Sequence, residues 1–138
     1  ARPCIANEWI DKIFEAGEKT GAAIFGIPIS STLKRVGNDH KVVETISREG
    51  VWAAQTPQVF ARQLLLDAHA KRGSLAATDD AQLVEQLGHP VTVVPGSPIN
   101  MKIATRDDFR LAEHALRALP KPKITGPGNR FAGDDMWR

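Results

Sequence analysis

The run Ala22-Ala23-Ile24-Phe25-Gly26-Ile27 constrains this chain more than any other stretch. None of its side chains is polar, so neither face of the strand it predicts can lie in water. A strand of that kind belongs inside a parallel sheet with helices over both faces. Pro28 ends it, because proline has no N–H to give to a central ladder. The rest of the chain supplies the covering layers. Asn7 is suited to cap a helix that carries Trp9, Ile10, Ile13 and Phe14 at helical spacing, with Gly17 as its stop. Phe60, Leu64, Leu65 and Ala68 share one face of a second helix, from about Val59 to Lys71, closed by Gly73. Thr78-Asp79-Asp80 opens a third, from about Ala81 to Leu87. Val91 to Val94 is a strand, and Ile99 to Ile103 a short edge segment. Thr105 and Asp108 form an approximate capping box for a last helix bearing Phe109, Ala112, Leu116 and Leu119, which Pro120 stops. Strands alternating with helices predict an α/β layer architecture.

Two stretches break this rhythm. Thr32 to Val36 and Lys41 to Ile46 alternate polar and apolar residues around Gly37-Asn38-Asp39-His40, which predicts a hairpin. A lone hairpin is marginally stable in water, so this one needs a surface to lie against; the expectation is a projecting β-arm that pairs with a partner. From Glu44 to Phe60 the sequence reads as a strand end with an arginine, a buried Trp52, a short strand to Gln55, and a polar turn at Thr56 that opens a helix. Residues 1–27 and 52–119 then form one domain, 28–51 the arm, and 120–138 a flexible tail rich in Pro, Gly and charge.

Composition excludes several classes. The 138 residues carry 42% apolar and 25% charged side chains, an ordinary globular balance. No apolar run approaches the ~18 residues of a membrane span, and no basic, apolar leader stands at the start. A net charge of +2 spread along the chain gives no concentrated basic face for nucleic acid. The single cysteine, Cys4, rules out an internal disulfide framework and fits a cytoplasmic location. The start at Ala1-Arg2-Pro3, without Met, reads as the middle of an element and predicts a piece of a longer protein.

Four basic residues, Arg2, Lys34, Arg48 and Lys102, each stand beside a predicted strand or turn. Brought together they make an anion site, with Arg suited to bidentate phosphate contact and Lys to point-charge contact; kept apart they are solvated surface charges. Thr56 and Thr78 either cap the helices after them or donate hydroxyls to a ligand, and a helix N-terminus allows both. Asp79 and Asp80 fit a metal or simply a helix first turn. His40, His69, His89 and His114 have no metal-ligand spacing. No Walker loop, GxGxxG or GxSxG is present.

In order along the chain stand Arg2-Pro3, Ser31-Thr32-Leu33-Lys34, Ser47-Arg48, Gln55-Thr56-Pro57-Gln58-Val59-Phe60, Thr78-Asp79-Asp80-Ala81 and Asn100-Met101-Lys102-Ile103. The set resembles the 2-C-methyl-D-erythritol 4-phosphate cytidylyltransferases of non-mevalonate isoprenoid biosynthesis, over about residues 1–119. The resemblance implies the C-terminal part of a Rossmann-like nucleotidyltransferase domain and a homodimer joined through the β-arm. It implies transfer of a cytidylyl group from CTP to methylerythritol phosphate with magnesium. It also implies roles: Lys102 as the catalytic lysine, and Arg2, Thr32, Arg48, Thr56 and Thr78 as substrate contacts, with Thr32 and Arg48 reaching the neighbouring subunit's substrate. The family's metal-binding Asp, glycine-rich CTP loop and second lysine would all lie before Ala1. Ser31 and Ser47 replace the family's Asp residues beside the arm contacts, and Met101 replaces its Ile. The alternatives are a related polyol- or sugar-phosphate nucleotidyltransferase, or an inactive fragment serving only as a dimerisation module.

Overall fold

The computed structural model describes residues 2–121. The predicted apolar strand is β1 (Ala22–Pro28), the middle strand of a three-stranded sheet. On one side it pairs parallel with β5 (Thr92–Pro95), Ala23 facing Thr92 and Gly26 facing Pro95. On the other it pairs antiparallel with β4 (Trp52–Phe60), Ala22 facing Phe60 and Pro28 facing Trp52. The sheet is therefore mixed, and Pro28 closes the strand as its last residue.

Helices cover both faces of β1, as its unbroken apolarity requires. Helix α1 (Asn7–Thr20) lies on one face, where Ile13 is buried with Ala23, Phe25 and Val94, flanked by Ile5, Trp9, Ala16 and Val59. Helices α2 (Arg62–Ala70) and α3 (Asp80–Gln86) lie on the other, burying Ala68, Leu83 and Val84 against Ala22. Helix α4 (Arg106–Arg117) buries only Ala112, whose carbonyl accepts from the Cys4 thiol at 3.6 Å. The thiol is fully buried, a structural role for that residue.

Several boundaries differ from the sequence expectation. Helix α1 starts after Ala6, which makes no side-chain cap, and runs through Gly17 to Thr20. Gly21 ends it in the left-handed region at φ 80°, where its N–H bonds the Gly17 carbonyl at 2.8 Å. Gly17 does not stop the helix; it lets α1 approach the sheet, since a Cβ there would lie 2.6 Å from Val59 Cγ1. Helix α2 begins at Arg62 because β4 continues to Phe60. Thr56 is thus neither a turn nor a helix cap but lies inside a strand. The 99–103 segment is not a strand; a turn from Ser97 to Asn100 directs Asn100 inward. Trp52 is 44% exposed rather than buried, because it sits at the last β1–β4 pair, beyond the reach of the helices.

The hairpin forms as expected. Strands β2 (Leu33–Val36) and β3 (Val42–Ile46) pair antiparallel as a separate two-stranded sheet. Ion pairing of Arg35 with Glu44 and a Lys34–Thr45 hydrogen bond of 2.6 Å link its strands. Val36, Val42 and Val43 are exposed on it. The expected tail lies almost wholly in 122–138, outside the described residues.

The capping box at α4 is complete: Thr105 Oγ1 accepts from the Asp108 N–H, and the Asp108 carboxylate accepts from the N–H groups of Ala104 and Thr105. These bonds, that from Ala104 first, hold the Asp108 carboxyl below its ordinary pKa. A depressed folded-state pKa contributes stability that is present above the unfolded value of ~3.9. That contribution is lost as pH falls through the lower folded value. The stability gap between wild type and Asp108→Asn should therefore shrink on acidification below about pH 4; a gap constant from pH 6 to pH 2 in denaturant titrations would contradict this. Gly17→Ala tests the packing. Helix propensity alone favours Ala by ~1 kcal/mol, but the stiff β-branched Val59 must move and overpacking costs ~1–3 kcal/mol. Chemical denaturation should show net destabilisation; a more stable variant would mean that α1 is not pinned to β4 at this point.

Candidate active site

The site grows from an irregularity in β4. Gln58 faces Ile24 and Gln55 faces Phe25, so the intervening Thr56 and Pro57 have no partners on β1. Pro57 cannot donate to a ladder in any case, and the Thr56–Pro57 peptide is cis. The extra residues bulge the strand, the device by which sheets re-aim side chains.

Two buried polar residues accommodate the bulge. Gln55 is 4% exposed and Asn100 is 1% exposed. Asn100 Nδ2 donates to the Thr56 carbonyl at 2.8 Å. Gln55 Nε2 donates to the carbonyls of Ser97 at 3.0 Å and Asn100 at 3.3 Å. The Arg2 guanidinium donates to the Asn100 carbonyl as well, and to that of Ala54 at 3.4 Å. Its partial burial lowers the Arg2 pKa by desolvation, though an arginine remains a cation there. Gly96 lets the loop lie this close: its N–H bonds the Gly26 carbonyl at 2.8 Å, and a Cβ would stand 2.3 Å from Gln55 Oε1.

Thr56 lies between two shallow clefts. One, of about 440 Å³, is lined by Arg2, Ile5, Ile10, Phe14, Thr56 and Pro57. The other, also of about 440 Å³, joins Thr56 and Gln58 to Thr78, Asp79, His69 and Arg72 across the start of α3. Asp79 is the α3 N-cap, accepting from the Gln82 N–H at 3.0 Å, and its other oxygen accepts from Gln58 Nε2 at 3.0 Å. Asp80 pairs with His69 at 2.9 Å. Thr78 is not the cap; its N–H and hydroxyl both meet Gln82 Oε1, at 2.9 and 3.3 Å.

Of the residues expected at the site, Arg2, Thr56 and Thr78 line these adjoining clefts. Lys102 follows Asn100 by two residues and is exposed, so the loop that bonds Thr56 also carries the lysine. Thr32 and Arg48 do not join them. Arg48 donates to the Ser30 carbonyl at the base of the arm. That base lies beyond Trp52, itself four strand residues or about 13 Å from Thr56. Lys34 belongs to the arm ladder. Gln55 and Asn100 border the candidate site, and the sequence expectation did not include them, although a lone amide within Trp52-Ala53-Ala54-Gln55 was the available signal: a polar side chain in an apolar strand must find buried partners.

The matched family profile is that of IspD, 2-C-methyl-D-erythritol 4-phosphate cytidylyltransferase, and it spans residues 1–118. The chain belongs to this family. A cytidylyltransferase of that name from Bacillus licheniformis is 43% identical over 120 residues, covering 86% of this chain and 52% of its own. One from Syntrophus aciditrophicus is 42% identical over 118 residues, 84% of this chain and 50% of its own. The crystal structure of the Thermus thermophilus enzyme matches with a TM-score of 0.77 at 38% identity, over 85% of this chain and 58% of that one. The fold is thus that of the nucleotidyltransferases in this family, and the chain spans about half the length of the curated relatives it matches.

Among the described residues no three His, Cys, Asp or Glu side chains cluster to bind a metal, and Asp79 and Asp80 are engaged in the cap and the His69 pair. No helix of the described residues is long and apolar enough to cross a membrane.

Gly96→Ala should displace Gln55 and cost ~1–3 kcal/mol, read as a lower denaturation midpoint. An unchanged midpoint would show that Gln55 yields freely and does not anchor the loop.

Proposed function

We propose that the full-length protein transfers a cytidylyl group from CTP to 2-C-methyl-D-erythritol 4-phosphate. The observation that carries this reading is the convergence of Arg2, Thr56, Thr78 and the Lys102 loop about the β4 bulge in a chain of this family. An oxygen of the acceptor's phosphate attacks the α-phosphorus of CTP. The bond from that phosphorus to the oxygen bridging to the β-phosphate breaks, and pyrophosphate leaves with the bonding electrons. Such a transfer needs little covalent chemistry from the protein; it needs reactants held in line and negative charge matched by fixed positive groups.

Each residue then has a task. Thr56 and Thr78 line one cleft and contact the acceptor there through their hydroxyls. Arg2 is held by two carbonyls, so its charge is fixed before substrate arrives. Lys102 is an exposed point charge on an anchored loop and stabilises the charge that builds up on the transferring phosphoryl group. Magnesium belongs to this reading as the divalent ion required with the triphosphate, and no step of this chain's own residues runs through it.

The arm gives the proposal a second subunit. Its isolated two-stranded sheet and exposed valines favour pairing with another copy, and its separation from the Thr56 cleft favours Thr32 and Arg48 acting on the acceptor in the partner's site. A homodimer follows, with two sites each completed by the other chain's arm. A cytoplasmic location and the absence of nucleic-acid and membrane partners complete the reading.

Lys102→Ala in the full-length protein should lower kcat by roughly 10²–10³-fold, and near-normal turnover in steady-state assays would remove the lysine from the chemistry. Arg48→Ala should raise the KM for methylerythritol phosphate more than that for CTP. Equal changes in both would take the arm out of the acceptor site.

A further inference from the structure

We propose that Gln55 and Asn100 are positioning residues for this reaction, a buried amide joint that fixes the Lys102 loop to the bulge carrying Thr56. The inference rests on the cytidylyl-transfer reading above. It starts from a mismatch between burial and chemistry. Protein cores rarely hold two uncharged amides without cause, because each buried polar atom must be partnered or costs free energy. Here the partners come from three separate parts of the chain. Asn100 Nδ2 donates to the Thr56 carbonyl at 2.8 Å, satisfying a backbone group that the bulge removes from the β1 ladder. The Asn100 carbonyl accepts from Gln55 Nε2 at 3.3 Å and from Arg2. Gln55 Nε2 also holds the Ser97 carbonyl at 3.0 Å. One joint thereby ties together a substrate-contact candidate on β4, the Arg2 segment and the loop from Ser97 onward.

Lys102 depends on that joint by chain length alone. Two residues span at most about 7 Å, so anchoring Asn100 confines where the lysine's backbone can lie. The lysine has no anchor of its own: among the described residues its ammonium takes part in no ion pair. Gly96 and Ile99 reinforce the loop from within, Gly96 through the Gly26 carbonyl at 2.8 Å and Ile99 N–H through Ser97 Oγ at 3.2 Å. Asn100 Oδ1 is buried with no partner among the described residues. An apolar isostere at this position would remove that orphaned oxygen but leave the Thr56 carbonyl unpartnered, so the amide is kept for its bond to Thr56. Neither amide lines the two Thr56 clefts, and Asn100 borders instead a separate cavity of about 340 Å³ with Trp9, Lys12 and Ser97, so both bear on the clefts through Lys102, Arg2 and Thr56.

Asn100→Ala in the full-length protein should lower kcat for cytidylyl transfer by roughly 10- to 100-fold, the scale of an ångström-level misplacement. In the Lys102→Ala background the same change should lower kcat by a clearly smaller factor, because the part of its effect that runs through Lys102 is already lost. A merely structural role would give the same fold-loss in both backgrounds. Hydrogen exchange supplies a readout independent of activity: amides of residues 97–104 should exchange faster in Asn100→Ala, with those of β1 and β5 unchanged. Gln55→Met attacks the joint from the other strand and should reproduce both effects. Unchanged loop exchange in a folded variant overturns the proposal, as does faster exchange with additive kinetics. Failure of both variants to fold also overturns it, by making the pair part of the core rather than a separable joint. A wild-type protein without transfer activity would refute the functional reading, and the exchange data would then decide whether the joint exists.

Discussion

Burial of β1 on both faces is the constraint from which the rest of the structure follows. A strand whose two faces and two edges are all occupied leaves its neighbours little freedom. Helix α1 must lie close enough on one face for Gly17 to sit against Val59, and α2 and α3 must close the other over Ala22. Gly26 lies within β1 where Val93 on β5 and Trp52 on β4 crowd it from either side; a Cβ there would lie 2.9 Å from Val93 Cγ1. With β1 fixed, the C-terminal end of β5 delivers Pro95 and Gly96 beside Gln55.

The site is a consequence of that crowding. Strand β4 cannot stay in register with β1 through Thr56 and Pro57, so it bulges, and the bulge frees a carbonyl that must be satisfied. Asn100 satisfies it from a loop 44 residues away in sequence. Positive charge arrives at the same place by a separate route, since the Arg2 guanidinium bonds the Asn100 carbonyl. Thr78 shares a cleft with the bulge from just before α3, whose N-cap is Asp79 rather than Thr78. The arm stands apart with its own ladder and its own exposed apolar side chains.

Much of this was legible in the sequence where the signal was local. The unbroken apolarity of Ala22 to Ile27 gave its burial, the Thr105 and Asp108 pair gave the start of α4, and the alternation around Gly37-Asn38-Asp39-His40 gave the hairpin. Local signals failed where tertiary contact overrode them. Thr56-Pro57 reads as a turn because proline ends ladders, yet a bulge accommodates it within the strand. Gly17 reads as a helix stop, yet a glycine inside a helix also marks close packing. Trp52 reads as core by its type, yet its place at the end of the β1–β4 pairing leaves it half open. The joint between Gln55 and Asn100 left only the lone amide of Gln55 as a local signal, because its partner comes from 45 residues away. The ordered motifs placed Arg2, Thr32, Arg48, Thr56, Thr78 and Lys102 in one family's site; the fold brings Arg2, Thr56 and Thr78 to adjoining clefts with Lys102 on the attached loop, and leaves Thr32 and Arg48 with the arm.

The most direct measurement is pyrophosphate release by the full-length protein, supplied with CTP and magnesium and with a panel of polyol and sugar phosphates as acceptors. Release that depends on 2-C-methyl-D-erythritol 4-phosphate, with the cytidylyl group recovered on that acceptor, is the predicted result. Release that prefers another acceptor, or dimerisation through the arm with no release at all, would contradict it.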